Sequence, residues 1–79
     1  MMRPAEKKLV VTFHTTAGAM AMEKLCRERS VPGRLIPVPR SISSDCGIAW
    51  CMLPEDRPLL EQATAGQALE IAGYYEVML

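Results

Sequence analysis

No apolar run in this chain approaches the roughly 18 residues that a membrane-spanning helix requires. The opening "MMRPAEKKLVVTFHTT" breaks its hydrophobic stretch too soon for a secretory signal, so the expected location is the cytoplasm and no membrane partner is expected. Charge of one sign is also lacking. Nine basic side chains balance nine acidic ones, so no global field draws the chain to a phosphate backbone, and nucleic acid is not an expected partner. There is no CxxC, no glycine-rich phosphate loop and no nucleophile, histidine and carboxylate at a catalytic spacing, and His14 is the single histidine. These absences leave no expected metal site or cofactor. An enzyme is the weakest functional class, because no second catalytic group has a defined place.

What is present suits a folded domain. Of the 79 residues, 49% are hydrophobic and 23% charged, which is globular and not disordered composition. A chain of this size buries roughly 60 to 65% of its unfolded surface, enough for one sheet covered by two helices. One domain over 1–79 is expected, with an ordered core over about 8–79.

The hydrophobic period changes along the chain in a regular order. "LVVTF" (9–13) is apolar on both parities apart from Thr12, as in a central strand buried by helices on one side. Thr15 and Thr16 are candidate N-caps for a helix over 17–30, in which Gly18, Ala21, Met22, Leu25 and Arg29 approximate one face and Met20 and Cys26 lie beside it. "SVPG" stops that helix. "RLIPVP" (34–39) reads as a second strand, and Pro37 and Pro39 each remove a backbone donor, so it belongs at a sheet edge. "CGIAWCML" (46–53) alternates, with Gly47, Ala49 and Cys51 on one face and Ile48, Trp50 and Met52 on the other. Pro54, Glu55 and Asp56 open a helix over 54–68 whose inward stripe is Leu59, Leu60, Ala63 and Gln67. The last segment (69–79) is a strand with Leu69, Ile71, Gly73, Tyr75, Val77 and Leu79 on one parity, bent at Gly73, and with Glu70 and Glu76 marking the wetter side. The order β-α-β-β-α-β predicts an α+β, ferredoxin-like split βαβ sandwich: a four-stranded antiparallel sheet with two helices on one face, strands one and three central. Trp50, Met52, Tyr74 and Tyr75 fit either an interface or the core and its rim.

The three cysteines carry the remaining chemistry. Along a strand, five steps of about 3.3 Å hold Cys46 and Cys51 roughly 16 Å apart, whereas a disulfide wants Cα atoms less than about 7 Å apart. The same separation weakens a metal clamp. Cys26, in a helix, and Cys51, inside a strand, fit the buried reduced thiol that behaves as a small hydrophobe. Cys46 differs, because it ends the polar loop "RSISSD" and precedes Gly47, where a partner backbone or small substrate can approach. Arg40 would lower its pKa and hold an anion if the loop folds back, while Asp45 would raise it. Ser43 and Ser44, with Ser41, supply donors for a small anion nest. His14 and Thr15 stand where a strand meets a helix start, a common ligand position. From the residues alone, Cys46 is either a working thiol or a cysteine packed at the end of a serine-rich turn.

"LVVTFHTTAGAMAMEKL" and "LIPVPRSISSDCGIAWCM" together resemble the DUF3343 family of small bacterial selenium or sulfur carrier-like proteins. The match runs through Phe13, Thr15 or Thr16, Glu23, Lys24, Pro37, Val38, Pro39, Arg40, Ser43, Ser44, Cys46 and Gly47, with "PVPRSISSDCG" its most specific part. Relatives often place a basic residue after the alternating strand start, where this chain has Trp50 and Cys51. The resemblance implies a persulfide or perselenide held on Cys46, steadied by neighbouring donors. The implied partners are sulfur or selenium donor and acceptor proteins, and a homodimer is open. The alternative is a noncatalytic binding or regulatory module acting through its sheet face or an edge strand.

Overall fold

A computed structural model describes residues 6–42, 46–67 and 69–79. The elements run β1 (Lys7–Phe13), α1 (Thr16–Glu28), β2 (Arg34–Pro37), β3 (Ile48–Met52), a single 3₁₀ turn (Pro54–Asp56), α2 (Arg57–Thr64) and β4 (Ile71–Met78). The four strands form one antiparallel sheet in the order β2-β3-β1-β4, with both helices packed on one face. This is the ferredoxin-like arrangement. The proline-bearing strand is at an edge, where the missing N–H of Pro37 costs no ladder bond to an outer neighbour.

The alternation along β1 divides the core. Leu9, Val11 and Phe13 face the helices and join Ala19, Met22 and Cys26 of α1, Trp50 and Met52 of β3, and Leu60 and Ala63 of α2. The other parity of β1 and β3 builds a smaller cluster on the opposite face, where Val10 and Ala49 are covered by Ile42 from the β2–β3 connection. That connection turns through a hydrogen bond from Ile42 N to Pro39 O and closes through Val38 N to Gly47 O, each 3.0 Å. One isoleucine from a largely polar loop thus seals part of the sheet face away from the helices.

Both helices are rotated relative to the expected stripes. In α1 the buried residues are Gly18, Ala19, Met22 and Cys26, whereas Ala21 and Arg29 are exposed. Small side chains at 18 and 19 let the first turn approach the sheet, and that approach sets the phase of the helix. In α2 Leu60 and Ala63 point inward, while Leu59 and Gln67 are exposed. This helix is eight residues long, shorter than expected, because its first residues form the 3₁₀ turn and Gly66 follows its end at φ +76°.

The largest departure is in β4. Its pairing places Val10 opposite Tyr75, Val11 opposite Tyr74 and Thr12 opposite Gly73, and then slips so that Phe13 meets Ile71. Directly opposed residues share a face. Ile71 therefore packs with the helix-side core, whereas Val77, of the same parity, packs on the other face. The single-parity reading fails at this irregularity, because a bulge inserts one residue and reverses the side on which all later residues lie.

Candidate functional site

Antiparallel pairing sets Thr12 opposite Ala49, so the carboxyl end of β1 and the amino end of β3 lie at one end of the sheet. His14 and Thr15 leave β1 there, Cys46 and Gly47 lead into β3 there, and Arg40 sits exposed in the turn that connects β2 to β3. The topology thus gathers these five sequence-derived candidates at a common end. Ser43 and Ser44, with Asp45, lie outside the described residues.

Each candidate has a definite local setting. The Thr15 hydroxyl is the N-cap of α1: it accepts from Gly18 N at 3.1 Å and donates to Glu70 Oε2 at 3.1 Å. That hydroxyl satisfies an otherwise orphaned helix N–H and ties the start of α1 to the chain entering β4. His14 and Arg40 are exposed. Gly47 adopts φ +75°, and a side chain there would meet open space, so conformation and not crowding makes glycine suitable.

Cys46 is half-buried and packs against the edge of the helix-side core. Its thiol donates to the carbonyl of Ile48 at 3.2 Å. This weak bond orients the thiol against the hairpin backbone.

The other two thiols have different surroundings. Cys26 is fully buried, and desolvation pushes its pKa up to about 11. It stays protonated near neutrality, in the expected role of a small hydrophobe. Cys51 is buried as expected, but on the face away from the helices, in a row formed with Arg34 of β2 and Val10 of β1. It lines a cleft of about 370 Å³ together with Lys8, Gly33, Arg34 and Asp56. A second cleft of about 300 Å³ adjoins it across residues 32–34 and is lined by Glu23, Arg27, Val31 and Trp50. These clefts lie toward the end of the sheet where β3 finishes and β2 begins, opposite the end that holds Cys46. Sequence reading did not find them, because they depend on which β2 and β1 residues stand beside Cys51. The available signal was parity, which separates Cys51 from Trp50 without giving either its neighbours.

All three cysteines are free. Among the described residues no three histidine, cysteine or acidic side chains converge in a metal-binding group, and no helix is long and apolar enough to cross a membrane.

With the geometry in place, comparison with known proteins gives one positive finding. Residues 8–76 match the family profile described as "Putative Se/S carrier protein-like". No curated protein and no solved structure matches the chain.

Proposed function

We infer that Cys46 is the carrier thiol of a chain that belongs to the Se/S carrier-like family. Family membership supports a generic carrier role. The observation that favours Cys46 for it is exposure: of the three thiols, Cys26 and Cys51 are buried and Cys46 is not. Its position before left-handed Gly47, at the mouth of a hairpin, gives an incoming donor access from the end of the sheet.

The chemistry of loading is a thiol exchange. The Cys46 thiolate attacks the terminal sulfur of a donor protein's persulfide. The donor S–S bond breaks, the donor cysteine leaves as a thiolate, and a new S–S bond leaves the sulfane sulfur on Cys46. No outside oxidant is consumed, because the transferred sulfur keeps its oxidation level. Delivery repeats the attack from an acceptor thiolate, which takes the terminal sulfur and returns Cys46 as a thiolate. The selenium version follows the same exchange. In this reading the Arg40 guanidinium, exposed at the same end of the sheet, is the candidate counter-charge for the loaded anion, His14 is a candidate donor there, and Gly47 leaves room for it.

Incubation with a cysteine desulfurase and ³⁵S-cysteine tests the assignment. Label is expected on the wild-type chain and on Cys51→Ala, with near-complete loss on Cys46→Ala, as mapped by nonreducing peptide analysis. Equal labelling of wild type and Cys46→Ala would overturn it, and loss confined to Cys51→Ala would move the carrier role to the buried strand thiol.

A second reading, a partner-binding module, is favoured by β4. This edge strand is eight residues long and free of proline, against four residues ending in Pro37 for β2. Tyr74, Tyr75 and Met78 are large and exposed along it, and Leu79 is exposed just beyond its end. An edge of this kind accepts another strand through main-chain hydrogen bonds. Sedimentation at micromolar concentration is expected to show self-association that Tyr75→Lys weakens at least about tenfold, as one charge facing a paired edge does. A wild-type monomer at every concentration would remove the homodimer form of this reading.

A further inference from the structure

Beside Cys46 the β2–β3 hairpin carries an apolar cleft that the exchange chemistry does not by itself use. Its volume is about 300 Å³, and it is lined by Leu35, Ile36 and Pro37 of β2 with Gly47 and Ile48 at the start of β3. Pro37 pairs with Ile48 and Leu35 with Trp50, and directly opposed residues share a face. Leu35, Ile48 and Cys46 all pack against the helix-side core. The side chains of Leu35, Pro37 and Ile48 therefore stand on the same face of the sheet as the Cys46 thiol.

The sulfur is within reach of the cleft. Cys46 Sγ lies 3.2 Å from the carbonyl oxygen of Ile48, one of the lining residues. Gly47, between them, is exposed, and a side chain built there meets open space, so the cleft is open on that side. None of the five lining residues is charged. A charged group laid here loses water and gains no partner, whereas an alkyl group only gains by leaving water.

Transfer constrains what lies over the cleft. Sulfur is exchanged only when the donor's sulfur comes into line with Cys46 Sγ, and the residues flanking it then follow at about 3.3 to 3.6 Å each. On the side of Ile48 the surface they meet is this apolar one. We propose that the protein that loads Cys46 carries an aliphatic side chain next to its own persulfide cysteine and seats it between Leu35, Pro37 and Ile48. This assignment rests on Cys46 as the carrier thiol, and it adds that the donor's flank is selected by apolar contact and not by charge.

Methanethiosulfonates test it. The Cys46 thiolate attacks the sulfur that bears the organic group, an S–S bond forms and methanesulfinate leaves, so the leaving group is constant while the flank varies. The n-propyl, 2-hydroxyethyl and 2-sulfonatoethyl reagents are the probes, with rates at Cys46 read by peptide mapping and divided by those of N-acetylcysteine. After that correction the propyl reagent is expected to react about tenfold faster than the hydroxyethyl reagent, the order expected for burying a methyl in place of a hydroxyl, with the sulfonate slower still. Pro37→Glu, at an exposed edge position, is expected to bring propyl and hydroxyethyl within about twofold of each other. Pro37→Ser serves if circular dichroism shows that the glutamate variant has lost its fold. Equal corrected rates for propyl and hydroxyethyl, a faster sulfonate, or a propyl preference unchanged in the Pro37 variant would each overturn the proposal. A preference that fades as the protein is concentrated means that a second copy covers the cleft, and overturns it too. The ³⁵S labelling separates this proposal from the carrier assignment. Label on Cys46 without a propyl preference keeps the carrier role and removes the cleft, whereas a propyl preference without label on Cys46 removes the carrier role and the donor assignment with it.

Discussion

Gly33→Ala is expected to destabilise the protein by roughly 2 to 6 kcal/mol, combining overpacking with backbone strain of about 1 to 3 kcal/mol each. The added methyl would fall within 2.5 Å of the Trp50 ring, closer than any real Cβ contact, and the backbone there sits at φ +147°. Retreat of the ring is opposed by its packing in the core formed with Leu9, Met22 and Met52. A chain of this length has a total stability of only about 4 to 12 kcal/mol at typical values per residue, so the substitution would remove a large part of it. Urea titration followed by Trp50 fluorescence measures the loss. Gly47→Ala provides the contrast: its φ is also positive, but the new methyl meets open space, so only strain of about 1 kcal/mol is expected. Equal, small losses at both positions would show that the Trp50 ring yields to the methyl.

Leu60→Ala is expected to cost about 2 to 5 kcal/mol, while Leu59→Ala costs less than about 0.5 kcal/mol. Neighbouring leucines of equal hydrophobicity differ because α2 turns one into the core and the other outward. Leu60 is 1% exposed and Leu59 46% exposed. Only Leu60 and Ala63 of α2 are buried, so truncating Leu60 removes most of the apolar anchorage of an eight-residue helix that is too short to hold its shape alone. Amide exchange should show early loss of protection across α2 in Leu60→Ala and none in Leu59→Ala. Comparable losses from the two substitutions would mean that the helix is seated in a different phase.

The helix phase shows why neighbouring residues resist sequence reading. Leu59 and Leu60 carry the same apolar signal, and the expected inward stripe over 59, 60, 63 and 67 held both, whereas only Leu60 and Ala63 turn inward. Contact with the sheet selects one of them. In α1 the same selection is made by Gly18 and Ala19, whose small size allows close approach but produces little hydrophobic signal in the sequence. The candidate site divides in a similar way. That Cys46 ends a loop while Cys26 and Cys51 lie within regular elements is visible from local pattern, and burial separates them accordingly. Which residues line the clefts beside Cys51 and Trp50 is decided by strand pairing and was not visible.

Local chemistry was enough to establish the succession of elements, the edge position of the proline-bearing strand, the opposite faces of Trp50 and Cys51, and the distinct character of Cys46. Those features follow from properties carried by adjacent residues: the period of the apolar positions, the missing proline donor, and the polar run before a glycine. Tertiary structure alone decided the phase of both helices, the reversal of β4 beside Phe13, the return of Ile42 onto the far sheet face, and the clefts at Gly33. Each of these depends on contacts between segments distant in the chain. Cross-strand register and close packing have no local carrier, and a one-residue slip exchanges the two faces of a strand without altering a letter of its sequence.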